Sequence, residues 1–229
     1  KVDNEKEHHK HLKYIKSVDT RVDANFGTSA INLQNLRNEI QRMLEMARVN
    51  VDKSFDAFLA GSSRSLDDVD KREDYIDYLN KEISRAAAKM MAHETNVKAS
   101  KNIGSYLDMT SNIERIGDHA VNICDYTKLI EEKQIVFSDE AKKQMEDMKI
   151  ICEKMFHNIS KKPDDIQDWL QKVHDFTDHF HLFHLLSVFR LCLGCSLCFF
   201  LVCLILQDFF DGLLLGRLFA FLCAGCGFP

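Results

Sequence analysis

The chain has 229 residues, a formal net charge of −5, 2 Pro and 9 Gly. So few helix-breaking residues, together with apolar residues spaced three and four apart, predict an all-α protein built as an antiparallel helical bundle. The net negative charge gives a nucleic-acid-binding function little electrostatic support, and residues 1–16 are too polar and charged for a signal peptide.

Three long helices are predicted after an N-terminal segment. Residues 1–18 are charged around a short apolar stripe, which indicates a linker or a peripheral helix. The first long helix is predicted from about Ser29 to Leu59, and Gly61-Ser62-Ser63 ends it. The second runs from about Leu66 to Met91 and the third from about Asn96 to Glu132. Each helix carries one narrow apolar stripe, as expected for helices that pack side by side.

Two further helices are predicted beyond the third. Ser138 has the character of an N-cap followed by two acidic residues, and Lys161-Lys162-Pro163 ends this fourth helix. An Asp-Asp pair then begins a fifth helix. Three such helices are enough to close a bundle, so residues 19–135 are predicted to form a first three-helix bundle. Residues 136–174 are predicted to begin a second repeat.

Two acidic pairs share the same spacing. Glu73 and Asp77 lie on the second helix, and Glu114 and Asp118 lie on the third. Residues four apart on a helix are separated by about 40° around the axis and about 6 Å along it, so each pair points two carboxylates the same way. Two such helices side by side would gather four carboxylates, which repel one another unless a cation, usually a hard metal ion, lies among them. The alternative is that the four acids are solvated on the helix surfaces.

The apolar stripes place these acids outside the core. Glu114 and Asp118 fall opposite the stripe of the third helix, and Glu73 lies on the flank of the second stripe. We therefore predict that Glu73→Ala combined with Asp118→Ala abolishes metal binding and leaves the bundle folded. Gly117, between the acids of the third helix, either permits close approach of a neighbour or ligand, or is a tolerated defect that costs about 1 kcal/mol.

The sequence around these acids resembles the PhoU family, and most closely the cytoplasmic PhoU-like domain that follows the membrane part of bacterial sodium/phosphate cotransporters. Residues Ile113 to Ile123, with the sequence I-E-R-I-G-D-H-A-V-N-I, are similar to the third-helix signature of that family. The stretch Glu73 to Asp77 resembles its second-helix motif, Asn38 to Met43 its first helix, and Phe137 to Ala141 the entry to its second repeat. The likeness covers roughly residues 12–174.

The resemblance implies two similar three-helix bundles and a metal site, typically an iron or zinc cluster. Its ligands would be Glu73, Asp77, Glu114 and Asp118. The resemblance also implies a regulator of phosphate uptake rather than an enzyme. It would lie at the cytoplasmic face of the bacterial plasma membrane with a membrane transporter segment as its partner. Association with further copies of the chain stays open.

The second repeat departs from the family pattern. Thr177 stands where the resemblance implies Glu, and His181 stands where it implies Asp. A second E-R-I-x-D-H string is absent from the sequence. We therefore expect one complete three-helix bundle with a partial second repeat, and at most one of the two metal sites of the family.

Composition changes abruptly after residue 174. Of the 30 Lys and Arg residues, only Arg190 and Arg217 follow it, whereas 11 of the 16 Phe and 6 of the 8 Cys do. Residues 175–229 could be a membrane hairpin or anchor, hydrophobic helices packed on the body, or out-of-frame translation. The first interpretation would give the chain a membrane contact through Leu191–Gln207, which is uncharged. The third is favoured because the change falls where the family likeness stops.

Three functional hypotheses follow. The first is a metal-binding regulatory domain of a sodium-dependent phosphate transport system. The second is a carboxylate-bridged di-metal enzyme, which is disfavoured because the Glu-x-x-His motif of such bundles occurs here only at Glu5–His8, outside the predicted bundle. The third is a membrane-anchored helical scaffold without a metal site.

Overall fold

The computed structural model describes residues 10–15, 28–137, 139–160 and 165–193. They form five helices: α1 (Thr28–Ala60), α2 (Val69–His93), α3 (Val97–Lys133), α4 (Asp139–Ser160) and α5 (Ile166–Leu193). No strand occurs in these ranges, so the predicted all-α fold is confirmed. The bounds of α1, α2 and α3 lie within three residues of the predicted ones. The predicted N-cap Ser138 and the predicted break at Lys161-Lys162-Pro163 lie outside the described residues.

Residues at the ends of α1 and α3 explain where these helices stop and start. Gly61 has φ +62°, and the N–H groups of Gly61 and Ser62 donate to the carbonyls of Phe58 and Ala57 at 3.0 and 3.1 Å. This is the Schellman arrangement, in which a left-handed residue closes a helix. At the start of α3, the Asn96 side chain accepts hydrogen bonds from two backbone N–H groups of the first turn.

The core lies between α1 and the helices that surround it. α1 contacts α2, α3 and α4, and α2 contacts α3. The predicted stripe of α3 is buried throughout; its members are Tyr106, Met109, Ile113, Ile116, Ala120, Ile123, Thr127 and Ile130. A continuous stripe on a long helix buries apolar surface at every turn, so the hydrophobic effect rather than helix propensity alone stabilises this bundle.

Aromatic side chains of α5 extend this core. The ring of Phe180 lies 6.2 Å from that of Phe55 on α1, and the ring of Phe176 lies 4.5 Å from that of Phe156 on α4. Thr177 donates a hydrogen bond to the carbonyl of Asn112 on α3 at 3.3 Å. α4 and α5 therefore pack directly on the first three helices, and the division of the chain into two repeats stays a prediction.

The chain divides into two compact units, Lys1–Leu182 and Phe183–Pro229. Of the second, the structure describes only residues 183–193, which form the last turns of α5. The three interpretations of the hydrophobic tail concern mostly residues 194–229, which lie outside the described residues. Within the described ranges, no helix is both long enough and apolar enough to cross a membrane.

Residues 10–15, which we call the strap, bear on the two alternatives given for residues 1–18. They are not helical, so a peripheral helix does not occupy this part of residues 1–18. The strap instead lies against α1 and α2: Ile15 is buried, and the N–H of Tyr14 donates to the carboxylate of Glu39 on α1. Glu39 is itself fully buried, which the sequence analysis did not predict.

Candidate functional site

The four predicted acids occupy the hairpin formed by α2 and α3. Residues 94–96 join these two helices, and the helices pack against each other. Glu73 and Asp77 are one turn apart on α2, and Glu114 and Asp118 are one turn apart on α3. The hairpin brings the two pairs within electrostatic reach, because each of the other three acids contributes to the pKa of Glu73. We call these four residues the carboxylate cluster.

At Gly117 the backbone of α3 lies directly against the Glu73 side chain of α2. A Cβ at this position would lie 3.1 Å from the Cδ atom of Glu73 and 3.2 Å from its Oε1 atom, and closer still to Oε2. The Glu73 carboxylate therefore occupies the space that any side chain at position 117 would need. Of the two interpretations of Gly117, close approach of a neighbour is the one that the structure supports.

Glu73 is a half-buried residue whose carboxylate group lies in an unfavourable setting. Neither carboxylate oxygen has solvent access or a hydrogen-bond partner among the described residues. The nearby Asn50 amide acts weakly to lower the pKa of Glu73, and one of its two N–H groups donates to the carbonyl of Val69 at 3.3 Å. A buried ionised carboxylate without partners is costly, and the cost is relieved by a proton or by a cation.

The pKa values of Glu73, Glu114 and Asp118 are raised by burial and by the negative charge of neighbouring acids. Burial, followed by the charges of Asp118, Asp77 and Glu114, raises the pKa of Glu73 to about 8. Burial and the charges of Asp118 and Asp77 raise the pKa of Glu114, although Arg115 and Lys81 oppose the shift. Burial and the charge of Asp77 raise the pKa of Asp118. Excess negative charge is therefore a property of the cluster and not of one residue.

The other three acids are open to solvent to different degrees. Asp118 is exposed, Glu114 is half-buried, and the Asp77 side chain retains 44% of its exposure. Lys81 lies 3.6 Å from Asp77, but its side chain is 71% exposed, so this pair neutralises little of the cluster. The cluster is thus a buried carboxylate beneath three acids that line its outer side.

Donor chemistry suits a hard cation, although the donors are not gathered into a coordination shell. Four carboxylates and no sulfur or imidazole ligand favour an ion that prefers oxygen. The Glu73 oxygens, which have no hydrogen-bond partner among the described residues, fit such an ion. Within the described residues, however, no group of three or more His, Cys, Asp or Glu side chains is positioned to hold a metal ion.

Glu114 and Asp118 lie where the apolar stripe of α3 predicted, whereas the Glu73 carboxylate lies deeper than a flank position implies. Glu114 and Asp118 lie outside the buried stripe of α3, as predicted. Glu73 was assigned to the flank of the α2 stripe, but its carboxylate is buried. A signal for this was present, because Glu73 is four residues after Val69 and three before Ile76, both buried stripe positions. It fills the one step of that stripe that has no apolar residue.

Two further residues, His119 on α3 and Thr177 on α5, are buried and contribute to packing. His119 is buried and its ring packs edge-on against Phe180, with centroids 5.7 Å apart, so it faces the core. Thr177, where the second repeat lacks the expected Glu, is fully buried and donates to the carbonyl of Val173 at 2.9 Å. This position is part of the packing of α5.

Comparison with known proteins finds a family model that spans the carboxylate cluster. Residues 40–127 match the family model of the PhoU domain, a range that includes the whole cluster and Gly117. The phosphate-specific transport system accessory protein PhoU homolog of Clostridium acetobutylicum is 28% identical over 99 residues, which cover 42% of this chain and 45% of that protein. The match therefore spans less than half the length of this curated relative. No solved structure matches the chain.

Proposed function

Because residues 40–127 form a PhoU domain, we propose that this chain is a regulatory, non-enzymatic component of a phosphate transport system. We propose further that it binds a metal ion through Glu73, Asp77, Glu114 and Asp118. The observation that carries the proposal is the buried Glu73 carboxylate, which lies against Gly117 among three other acids and has no hydrogen-bond partner among the described residues. The curated relative, an accessory protein of phosphate-specific transport, supports the regulatory role.

Electrostatics explains why a cation suits this site. At neutral pH the raised pKa of Glu73 means that its carboxyl group retains a proton, while the crowding of charge comes from the remaining acids. A divalent ion would displace that proton and offset the mutual repulsion of the cluster. Glu73 would hold the ion from the buried side, and Asp77, Glu114 and Asp118 would hold it from the solvent side. Bound metal would then lock α2 against α3.

Two thiols that could suggest catalysis are poor nucleophiles. Burial raises the pKa of Cys124 and of Cys152 to about 12 in each case, so both remain protonated at neutral pH. A regulatory domain needs no nucleophile. It needs a rigid body and a partner, which in this proposal is the membrane transporter of a sodium-dependent phosphate system at the cytoplasmic face of the bacterial plasma membrane.

Metal content is the direct test of the site. The full chain is purified without added metal and analysed by mass spectrometry beside a variant with Glu73→Gln, Asp77→Asn, Glu114→Gln and Asp118→Asn. Asp70→Asn with Asp74→Asn is the matched control, because these exposed acids have the same spacing on the same helix. We expect about one or more iron or zinc ions per chain in the wild type and the control, and none in the four-site variant.

Phosphate uptake tests the role separately. In a bacterium that lacks its own PhoU protein, expression of the full chain should change the rate of phosphate uptake, and the four-site variant should not. Bound metal with unchanged uptake would retain the site and overturn the role. Loss of metal equally in the Asp70/Asp74 control would overturn the assignment of the ligands.

A helical scaffold without metal is the second candidate. It is favoured by one observation, namely that no three potential ligands among the described residues are positioned around a common point. In that case the cluster would be an acidic surface for a cationic partner, and the hydrophobic tail would provide the membrane anchor. Absence of metal from the wild type and all variants is the outcome that selects this function.

A further inference from the structure

The strap is held through its main chain, on a surface separate from the carboxylate cluster. The Tyr14 N–H donates to Oε1 of Glu39 at 2.5 Å. The carbonyl of His11 accepts from Arg42 at 2.9 Å and from the Tyr75 hydroxyl at 3.0 Å, and the His11 N–H also lies 3.0 Å from that hydroxyl. We call Glu39, Arg42 and Tyr75 the clasp.

The three clasp residues also contact one another. Arg42 Nε donates to Oε2 of Glu39 at 2.9 Å, and its guanidinium lies over the Tyr75 ring, 5.3 Å from the centroid. These contacts fix the three side chains relative to one another across α1 and α2. They leave Oε1 of Glu39 and the Tyr75 hydroxyl directed at the strap, where they meet main-chain groups that any peptide possesses.

Two side chains of the strap add selectivity at its ends. Lys10 donates to the carbonyl of Asp74 at 2.9 Å and lies 3.7 Å from its carboxylate. Five residues later, Ile15 is buried. Beyond Tyr14 the surface continues into a cavity of about 400 Å³ lined mostly by α1, with Ser160 of α4 at its edge. The groove thus contacts a cationic side chain, a short stretch of main chain and an aliphatic side chain. The cavity next to Tyr14 provides additional space.

We propose that this groove is a peptide-binding site that the strap occupies in cis, and that an extended segment of a partner protein competes for it. The partner segment would present a cationic side chain and, five residues later, an aliphatic one. Extended peptides are recognised in this way elsewhere, with main-chain hydrogen bonds giving affinity and side-chain pockets giving specificity. Because the strap is tethered, its high effective concentration makes it a built-in competitor.

The choice of anchors distinguishes this groove from an ordinary helix-surface contact. A strap that served only to cover apolar surface would need Ile15 but not a buried carboxylate. Glu39 is fully buried at the contact, and the strap supplies one of its hydrogen bonds. A segment that leaves the groove takes away the donor to Oε1 of Glu39, and another donor is then needed there because a buried acceptor without a hydrogen bond is costly. Exchange of one peptide for another meets that requirement.

Peptide binding to the full chain tests the proposal. The probe is a fluorescent peptide with the sequence of residues 8–17, and binding is measured by anisotropy. Tyr14→Pro in the chain removes the N–H donor to Glu39 and should free the groove, whereas Tyr14→Ala keeps that N–H and is the matched control. We expect the peptide to bind the Tyr14→Pro chain at least about tenfold more tightly than the wild type or the Tyr14→Ala chain.

The clasp is tested in the same background. Tyr75→Phe removes only the hydroxyl, and with it both contacts to His11, so it should weaken peptide binding to the Tyr14→Pro chain by about tenfold. A peptide that itself carries Tyr14→Pro should not bind. Failure of the probe to bind the Tyr14→Pro chain, or binding unaffected by Tyr75→Phe, would mean that the strap is only an intramolecular anchor.

A second measurement covers the case in which the Tyr14→Pro chain does not fold. Hydrogen–deuterium exchange of residues 10–15 is followed in the wild-type chain with and without excess of an isotopically heavy copy of the peptide. Competition predicts faster exchange of the strap as the peptide is added. Unchanged exchange at saturating peptide would overturn the proposal, whatever the behaviour of the variant.

Discussion

Helices α1 and α2 each bury one glutamate carboxylate, Glu39 on α1 and Glu73 on α2, in opposite circumstances. Glu39 accepts hydrogen bonds from Arg42 and from the Tyr14 N–H, so its charge is compensated. Glu73 has no hydrogen-bond partner among the described residues, and its charged neighbours are other acids. The same residue type, on neighbouring helices, thus has a compensated charge in one place and a carboxyl group crowded by other acids in the other. Burial alone does not distinguish the two carboxylates; the sign of the surrounding charge does.

The largest expected effect is at Glu39. Glu39→Ala leaves Arg42 and the Tyr14 N–H without their acceptor, and removal of one partner of a buried ion pair should lower the free energy of unfolding by about 3 kcal/mol. Urea denaturation followed by circular dichroism measures the loss. Glu45→Ala is the matched control, because Glu45 forms the same i,i+3 pair with Arg48 on α1 but is 57% exposed.

That control should cost less than about 1 kcal/mol, the usual range for an exposed pair. Similar losses for Glu39→Ala and Glu45→Ala would contradict the structural role given to Glu39. They would also remove the energetic reason for expecting a second peptide to replace the strap.

The next effect is a dependence on pH that belongs to Glu73. Because the folded pKa of about 8 lies above the ordinary value of 4.5, the folded state keeps a proton that the unfolded state has released. Stability from this group is complete below about pH 4.5 and is lost as pH rises towards 8. After allowance for solvent screening, we expect the chelator-treated chain to lose about 2 kcal/mol between pH 5 and 8.

Glu73→Gln should abolish this fall in the free energy of unfolding between pH 5 and 8, since the amide does not titrate. The control is Glu45→Gln, which removes a carboxyl group whose pKa is lowered by a hydrogen bond from Arg48 and should leave the slope between pH 5 and 8 intact. A slope that survives Glu73→Gln would show that the other acids of the cluster, and not Glu73, carry the unfavourable charge.

Local pattern predicted the helices well because their causes are local. The stripe of α3 and the end of α1 at Gly61 depend on residues within a few positions of one another, and both were identified from the sequence. The burial of Glu39 was missed because its partner Tyr14 lies 25 residues away, on a segment with no regular structure. Yet Glu39 stands three residues after Leu36 and four before Met43, both buried, so its position in the stripe carried the signal.

The sequence indicated which four acids lie near one another, but it did not indicate that the Glu73 carboxylate is buried. Spacing alone identifies which acids share a helix face, and the four residues chosen are those that influence one another. Spacing does not state how closely two helices approach, which depends on the residue at the point of contact. Here that residue is Gly117, whose lack of a side chain admits the Glu73 carboxylate.

The smallest expected effect tests this contact and uses two glycines of the same helix. A Cβ at Gly104 would meet nothing within 4 Å, so Gly104→Ala should stabilise the chain by up to about 1 kcal/mol through helix propensity alone. Gly117→Ala gains the same propensity but forces the Glu73 carboxylate out of its position. It should therefore be neutral or destabilising, and it should lower metal content if Glu73 is a ligand.

A double-mutant cycle separates these two contributions. In a Glu73→Ala background the obstacle is gone, so Gly117→Ala should recover the stabilisation seen for Gly104→Ala, with a coupling between positions 73 and 117 of about 1 kcal/mol. Equal effects of Gly117→Ala in both backgrounds would mean that the carboxylate moves aside without cost. The Glu73 carboxylate would then be held only weakly against Gly117, and the contrast with the well-fixed carboxylate of Glu39 would lose its physical basis.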